Sequence, residues 1–369
     1  MKADDEKHMQ TALDLARKGY GRTSPNPMVG AVLVKGRTVI GKGWHWCAGG
    51  AHAEVEAIRN AERHDYNVKG ATLYVTLEPC STTGRTPPCS EAIQKAGIKR
   101  VVVGATDPNP NHAGRAFRVL RKAGIEVRHK VLLPEVQALN EAFNHWITTG
   151  LPWVTVKAAM TLDGKIATER GESKWITGES ARRKGIYLRR GSDAILVGVE
   201  TVRADDPSLL AHGKRGGVQL RRVVLDSQAR TPLDAQVVSD GHEEHTTVVV
   251  VRGASAKRVT ALRRRVNVIE APARKGRVDL RWLLKRLGKE SVTNLLVEGG
   301  GEVNGSFLQN GLAHRVAFFY APKILGGNRS RAAVGGEGVQ RLEDSLQLRE
   351  VAWERLGPDL MLTARVVNV

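Results

Sequence analysis

Four residues in the first third of the chain have the types and spacing of a metal centre with an acid–base group beside it. His52 and Glu54 are two positions apart, and Cys80 and Cys89 follow farther along the chain. A histidine and two thiolates supply three of the four ligands of a tetrahedral zinc ion and leave the fourth position for water. Zinc lowers the pKa of that water towards 7. Glu54, which is not a ligand, can accept a proton from the water and donate it to a leaving amine.

The order of these residues is the signature of zinc-dependent base deaminases. Prolines 87 and 88 directly precede Cys89, and proline is favoured in the first turn of a helix. We therefore predict that His52 and Cys89 each lie at a helix start, where a thiolate is stabilised. Eight residues separate the two cysteines, instead of the usual two, and we expect this loop to form part of a substrate pocket.

A second group of residues with chemical potential lies late in the chain. The apolar run Asn294–Val297 is followed by Glu298 and by three glycines, Gly299, Gly300 and Gly301. Glycines let backbone N–H groups approach a pyrophosphate, and a helix start favours the anion. The pattern departs from G-x-G-x-x-G because Asn304 occupies the third position. On the residues alone, this segment is either a phosphate site or a glycine-rich turn.

Alternating helix and strand patterns predict the elements that position these residues. A chain of 369 residues is long enough for two domains at roughly 100–200 residues each. The segment 148–152 is polar, then glycine, then proline, which is typical of a boundary. We predict a layered α/β domain over residues 1–148 and a second α/β domain over residues 149–369.

The chain is strongly basic, with 57 Lys and Arg against 38 Asp and Glu and a net charge of +19. Such a charge suggests a nucleic acid or an anionic small molecule as partner. The segment 252–289 contains thirteen of the basic residues and only two acidic ones. It is predicted to be a solvated helical surface whose leucines face the core. Alternatively, the segment attracts nucleic acid without specificity.

Two other classes of function are disfavoured. A nucleic-acid deaminase with an RNA-binding second half needs aromatic stacking platforms, and aromatic residues are only 5% of the chain. A catalytically idle scaffold has no need of the intact His52, Glu54, Cys80 and Cys89. Three cysteines are too few for a disulfide framework, and neither a secretory leader nor an 18-residue apolar run occurs. We expect a cytoplasmic protein.

The first half of the chain resembles the deaminase half of the bifunctional deaminase/reductase family of riboflavin biosynthesis. The resemblance rests on motifs in the segments 25–30, 52–54, 76–81, 84–89 and 107–110. It implies a three-layer, cytidine-deaminase-like fold in which His52, Cys80 and Cys89 bind one zinc ion and Glu54 moves the proton. The implied reaction is hydrolytic removal of the 2-amino group of 2,5-diamino-6-ribosylamino-pyrimidinone 5′-phosphate. The implied substrate contacts are Asn26, His45, Asp107 and Asn109.

The second half resembles the reductase half of the same family in the segments 157–165, 171–177, 199–209, 224–227 and 321–323. It implies a dihydrofolate-reductase-like α/β domain. The implied reaction uses NADPH to reduce the ribosyl group of 5-amino-6-(5-phosphoribosylamino)uracil to ribityl. With NADPH as the implied cofactor, a third interpretation of the segment 252–289 is that Arg252 meets the 2′-phosphate. The implied NADPH contacts are Ala159, Trp175, Thr201, Asp205, Ser227, Gly299, Gly300, Gly301, Asn304 and Gly305. The implied substrate contacts are Ser173, Arg189, Leu209 and Glu298.

The chain departs from the family pattern at two places. Thr82 and Thr83 stand where histidine is expected in the first or in both positions, and threonine cannot titrate near neutrality. His212 stands where arginine is expected, so Lys214 or Arg215 could supply that phosphate contact. The resemblance further implies phosphorylated pyrimidine intermediates as partners, with no specific nucleic acid and no membrane. We also expect a homo-oligomer, either a dimer or a tetramer.

Overall fold

The computed structural model describes residues 2–82, 88–211 and 220–367, which divide into two compact units. The first unit extends to Gly150 and the second begins at Leu151. A division after residue 148 would cut the last turn of a helix that ends at Thr149. Gly150 has φ 72°, the left-handed conformation that commonly ends a helix.

The first unit is a five-stranded sheet with helices on both faces. Its strand order is β2-β1-β3-β4-β5; β1 is antiparallel to both neighbours, whereas β3, β4 and β5 are parallel. The helices are α1 Lys2–Ala16, α2 Ala53–Glu62, α3 Cys89–Lys95, α4 Arg115–Lys122, α5 Leu133–Leu139 and α6 Glu141–Thr149. The strands are β1 Gly30–Lys35, β2 Thr38–Trp44, β3 Thr72–Leu77, β4 Arg100–Ala105 and β5 Glu126–Arg128.

Alternating side chains of the strands build two separate cores in this unit. Leu33 and Leu73 point to the face covered by α2, α3 and α4. Val32 and Tyr74 point to the opposite face, where they pack against Met9 of α1. Because successive strand residues face opposite sides of a sheet, this alternation produces three layers, as predicted. The three-layer α/β fold of the first half is confirmed.

The second unit is built on a nine-stranded sheet with the order β11-β10-β9-β8-β14-β6-β15-β18-β17. The strands from β11 to β15 in this order are parallel, and β18 is antiparallel to both neighbours. The helices are α7 Glu179–Arg190, α8 Val199–Asp205, α9 Ala256–Arg263, α10 Leu280–Lys289 and α11 Gly301–Gln309. The strands are β6 Trp153–Thr161, β7 Lys165–Ala167, β8 Ala194–Gly198, β9 Arg221–Leu225, β10 Thr246–Val251, β11 Asn267–Ala271, β12 Ala273–Arg274, β13 Arg277–Val278, β14 Asn294–Val297, β15 Arg315–Ala321, β16 Arg331–Ala332, β17 Gln347–Leu356 and β18 Asp359–Val367.

The basic segment 252–289 is only partly the helical surface that its composition predicts. Helices α9 and α10 do lie there, and Leu262, Leu283, Leu284 and Leu287 are buried. Between the helices, β11 extends the edge of the sheet by pairing with β10. Across the described residues, no helix is both long enough and apolar enough to cross a bilayer.

Candidate active sites

The first site is built around the start of α2. His52 is the N-cap residue of this helix, and Glu54 lies in its first turn. The helix packs unusually close to β2 because Gly41 and Gly43 have no side chains. A Cβ on Gly43 would lie 2.3 Å from both the Ala53 carbonyl oxygen and the Ala57 nitrogen. The two glycines thus allow the sheet to hold the helix start that carries His52 and Glu54.

The two cysteines reach the same point from different elements. Cys80 follows β3, and Cys89 is the first residue of α3, as the preceding prolines predict. The Nδ1 atom of His52 lies 3.2 Å from Sγ of Cys89 and 3.5 Å from Sγ of Cys80. All three ligand atoms lie within 4.8 Å of one another. One imidazole nitrogen and two sulfurs this close together fit the donor set of a tetrahedral zinc ion.

Hydrogen bonding around the sulfurs favours a thiolate. The Cys89 thiol, together with its backbone N–H at 3.2 Å, donates to Cys80 and lowers the pKa of Cys80 to about 4. The same hydrogen bond raises the pKa of Cys89, and the contact with Cys80 raises the pKa of His52. The protonated Cys89 and His52 therefore surround one anionic sulfur, that of Cys80. A divalent cation would replace those protons, which is how metal binding is coupled to ligand ionisation.

Glu54 lies beside this cluster with a side chain that is almost wholly buried. Burial raises the pKa of Glu54, while the neighbouring His52 opposes the rise. A carboxyl group that loses its proton less readily than a surface glutamate is suited to both accepting and donating one near neutral pH.

Asn26 and His45 lie against the same cluster. The Asn26 amide donates to Nε2 of His45 at 3.2 Å, and Nδ1 of His45 donates to the Ala51 carbonyl at 3.0 Å. This pattern requires a neutral imidazole, in which one ring nitrogen accepts and the other donates. Burial also lowers the pKa of His45, which disfavours protonation of the ring. The ring of His45 packs edge-on against His52, with centroids 5.6 Å apart. The structure thus brings together three residues that are separated in the sequence.

Asp107 and Asn109 lie on a segment that Glu78 holds. The Asp107 carboxylate accepts a hydrogen bond from the Asn109 N–H at 2.8 Å, and burial raises the pKa of Asp107. Glu78 accepts hydrogen bonds from the backbone of the same segment. Sequence reasoning gave Glu78 no role, although its place directly before Pro79-Cys80 at the end of a buried strand is a signal.

Several predicted positions lie outside the described residues. These are Thr83 and the segment 84–87 in the first unit, and His212, Lys214 and Arg215 in the second. Thr82 is described and half-buried.

The second unit offers two helix starts at one edge of its sheet. Helix α8 follows β8 with Gly198 as N-cap, and α11 follows β14 with Gly300 as N-cap. Because β8 and β14 are adjacent and parallel, both helix starts lie at the same edge. The hydroxyl of Thr201 lies 3.4 Å from where a Cβ on Gly300 would be. Paired helix starts with glycine at both N-caps fit the pyrophosphate of a dinucleotide.

A buried carboxylate, Glu298, follows β14 and faces two cations. It accepts hydrogen bonds from Arg189 Nε at 2.8 Å and Nη2 at 3.0 Å, and from Lys157 Nζ at 3.2 Å. Arg189 also donates to the Leu210 carbonyl at 3.3 Å. Burial opposes ionisation, but the charges of Arg189 and Lys157 lower the pKa of Glu298 to about 2. The predicted substrate residues Arg189 and Glu298 are thus in direct contact, next to the Leu209–Leu210 segment.

The segment 173–175 contacts Asp205, which is also a predicted cofactor residue. The hydroxyl of Ser173 donates to the Asp205 carboxylate, and Lys174 Nζ donates to the Asp205 carbonyl at 2.6 Å. The Trp175 side chain is 66% exposed, and the Arg182 guanidinium lies 4.7 Å from its ring centroid. An exposed tryptophan held by a cation leaves one ring face available to a ligand.

Other predicted residues of this site have structural contacts of their own. Asn304 is fully buried and donates to the Ala333 carbonyl at 2.8 Å. A Cβ on Gly301 would lie 2.2 Å from the Ala332 carbonyl oxygen, so close packing requires that glycine. A Cβ on Gly305 would likewise lie too close to the Gly335 carbonyl oxygen. Ser227 accepts a hydrogen bond from the Val278 N–H. Leu209 is buried and Ala159 is half-buried.

Comparison with known families gives one match in each unit. The cytidine and deoxycytidylate deaminase zinc-binding region matches residues 2–105, and the RibD C-terminal domain matches residues 152–362. Together with the His/Cys/Cys cluster and the second α/β unit, these matches define a zinc-binding deaminase joined to a reductase.

Whole-length relatives identify the family. The chain is 44% identical to the riboflavin biosynthesis protein RibD of Actinobacillus pleuropneumoniae over 99% of this chain and 96% of the relative. Its identity to RibD of Escherichia coli strain K12 is 39%, over 97% and 98%. The solved structure of Acinetobacter baumannii RibD, form 1, superimposes with a TM-score of 0.89 at 36% identity and full coverage of both chains. The chain belongs to the RibD family, and it is a bifunctional deaminase and reductase of riboflavin biosynthesis that uses zinc and NADPH.

Proposed function

We propose that the deaminase reaction takes place at the cluster of His52, Cys80 and Cys89, with Glu54 as the proton carrier. The observation that carries this proposal is the convergence of the three ligand atoms within 4.8 Å beside the buried Glu54. Zinc, when bound, supplies an activated water as nucleophile. Glu54 accepts a proton from that water and donates it to the amino group that departs as ammonia. The pyrimidine 2-amino group is thereby exchanged for oxygen, with one water consumed.

The residues around the cluster would orient the phosphorylated diaminopyrimidine. The neutral His45 and the Asn26 amide present hydrogen-bonding groups next to His52. Asp107 and Asn109 approach from the segment held by Glu78. Such positioning groups reduce the entropy cost of bringing water and substrate together.

We propose that the second unit reduces the ribosyl side chain at the edge where α8 and α11 begin. NADPH, when bound, supplies the hydride. Thr201 and the 299–305 segment would hold its phosphates, and Trp175 and Asp205 would make further contacts with the cofactor. Ala159 and Ser227 complete the proposed cofactor contacts.

Arg189 and Glu298 would bind the phosphorylated intermediate, with Ser173 and Leu209 nearby. Their role follows from a buried carboxylate that already holds two cations in fixed positions. Because Leu209 is buried, its proposed contact is made by the backbone. The work of this site is to orient donor and acceptor, since the cofactor carries the chemistry.

We also propose that the deaminase is the unit that ends at Gly150 and the reductase the unit that begins at Leu151, two residues beyond the boundary predicted from the sequence. We further propose that the enzyme is a cytoplasmic homo-oligomer. The exposed edge strand β17 supports self-association, because it presents Val351 and Trp353 at 50% and 58% exposure. Edge strands with exposed apolar residues commonly pair with another chain. Light scattering of the purified protein measures its oligomeric state, and a monomer mass at micromolar concentration would contradict the proposed homo-oligomer.

The decisive test of the two-site assignment is Glu54→Gln. We expect deamination to fall about 10²–10⁴-fold, because the amide cannot carry the proton. Zinc content and NADPH-dependent reduction of the deaminated intermediate should be unchanged. Glu56→Gln, two residues along the same helix and more exposed, is the matched control and should keep both activities. Loss of both activities in Glu54→Gln would contradict two separate sites.

A further inference from the structure

We propose that Glu78 is a positioning residue of the deaminase site, which holds the segment 107–116 against the strand that leads to Cys80. The inference rests on the proposed deaminase function, because that segment carries Asp107 and Asn109.

The carboxylate of Glu78 is occupied entirely by one segment of backbone. Its Oε2 accepts from the Asp107 N–H at 3.1 Å and the Gly114 N–H at 2.9 Å, and its Oε1 accepts from the Ala116 N–H at 3.0 Å. The residue is 5% exposed. No ion pair of Glu78 with a basic side chain occurs within the described parts of the chain. A buried carboxylate satisfied by backbone donors forms strong, charge-assisted hydrogen bonds.

Two of these three donors lie at the start of α4. Ala116 lies in the first turn of α4, where backbone N–H groups have no partner within the helix. Gly114 is the N-cap residue and has φ 73°. Glu78 thus satisfies, from another element, donors at the start of α4 whose own N-cap side chain offers nothing.

Local hydrogen bonds give the segment its shape but not its location. Asp107 accepts from the Asn109 N–H, and Asn109 accepts from the Asn111 N–H at 3.0 Å. Such turns are internal to the segment. The Glu78 carboxylate joins the segment to the end of β3, and the Glu78 N–H donates to the Ala105 carbonyl at 2.9 Å, which holds β3 to the end of β4 where the segment begins. Cys80 is two residues beyond Glu78, so this side chain fixes the segment that carries two proposed substrate residues to the strand that leads to a metal ligand.

The test is Glu78→Gln in the full-length zinc-loaded protein. The amide would turn an N–H towards at least one backbone N–H donor, so the segment loses its fixed place. We expect kcat/KM for the diaminopyrimidine to fall about tenfold to a hundredfold, mostly through KM. Zinc content and NADPH-dependent reduction should equal those of the wild type. Hydrogen exchange should accelerate in a peptide covering residues 107–116 and stay unchanged in one covering β1.

Glu62→Gln is the matched control, since it removes an exposed carboxylate from the same unit. It should change none of these measurements. If the glutamine variant does not fold, Glu78→Asp carries the same test, because it keeps the charge and shortens the reach. Wild-type kcat/KM, unchanged exchange over residues 107–116, or loss of zinc in the folded variant would each overturn the inference. A wild-type enzyme without deaminase activity would overturn the proposed function instead.

Discussion

At the scale of single residues, Glu298 remains ionised in a buried position because Arg189 and Lys157 face it. Its pKa is about 2 in the folded protein, below the ordinary value of 4.5. A carboxyl group with a depressed folded pKa stabilises the protein above its unfolded pKa, and this contribution is lost as the pH falls towards the folded pKa. The difference corresponds to about 3 kcal/mol. We therefore expect the free energy of unfolding of the second unit to decrease between pH 5 and pH 2, as urea denaturation can measure.

Glu298→Gln should remove most of this pH dependence and lower stability at pH 7 by about 3 kcal/mol, because two cations lose their anion. Glu302→Gln is the control, since Glu302 is 66% exposed and pairs with Arg277 at the surface. It should change stability by less than about 1 kcal/mol. Parallel pH profiles for Glu298→Gln and the wild type would contradict this account.

The predictability of a residue from the sequence depends on how local its signal is. His52, Glu54, Cys80 and Cys89 were predicted to form one cluster because the order and spacing of the ligands are characteristic. The geometry of the three ligands agrees with that prediction. Glu78 escaped prediction because its partners are backbone N–H groups 29 to 38 residues away, and such partners cannot be recognised from residue type.

At the scale of elements, the first helix is held to the sheet by a buried charge. Asp5 of α1 is 1% exposed and accepts hydrogen bonds from Tyr74 at 2.9 Å and from two nitrogens of Arg100 at 2.9 Å. Burial opposes ionisation, but the bonds from Arg100 and Tyr74 outweigh it and lower the pKa of Asp5. We expect Asp5→Asn to destabilise the first unit by about 3 kcal/mol, because Arg100 and Arg128 lose their shared anion. Denaturant unfolding followed by circular dichroism measures this.

Asp14→Asn on the same helix tests whether burial is responsible. Asp14 pairs with Arg17 in solvent, with the two side chains 61% and 52% exposed. An exposed pair contributes less than about 1 kcal/mol, so this variant should unfold close to the wild type. An equal loss of unfolding free energy in both variants would contradict a larger contribution from the buried Asp5 cluster.

Elements were predictable where periodicity was long and unbroken. Strand β11 was missed because five residues in a basic segment gave too weak a strand pattern. Helix α8 buries only Val199 and Val202, which are too few apolar positions to establish a helical period in the sequence. Helices α5 and α6 are divided at Asn140, whose amide is bonded to both the N–H and the carbonyl of Met28. That tertiary contact overrides local helical preference, and no local pattern reveals it.

At the scale of the whole molecule, the net positive charge is compatible with anionic small molecules as ligands. Arg189 and Lys157 are paired with Glu298, and the thirteen basic residues of 252–289 are exposed, seven of them on α9 and α10. The phosphorylated intermediates and NADPH are all anions, which a net charge of +19 attracts at long range. Net charge alone does not distinguish anionic small molecules from nucleic acid as the partner.

Each unit has hydrophobic clusters of its own, so we expect each to unfold as a separate cooperative transition. Zinc binds residues of the first unit and NADPH residues of the second, and a ligand stabilises only the state that binds it. Differential scanning calorimetry of the intact protein should therefore show two transitions. Removing zinc with a chelator should lower one midpoint, and NADPH at about 100 times its Kd should stabilise the other by about 2.7 kcal/mol. A single transition that responds to both treatments would show that the two units unfold together.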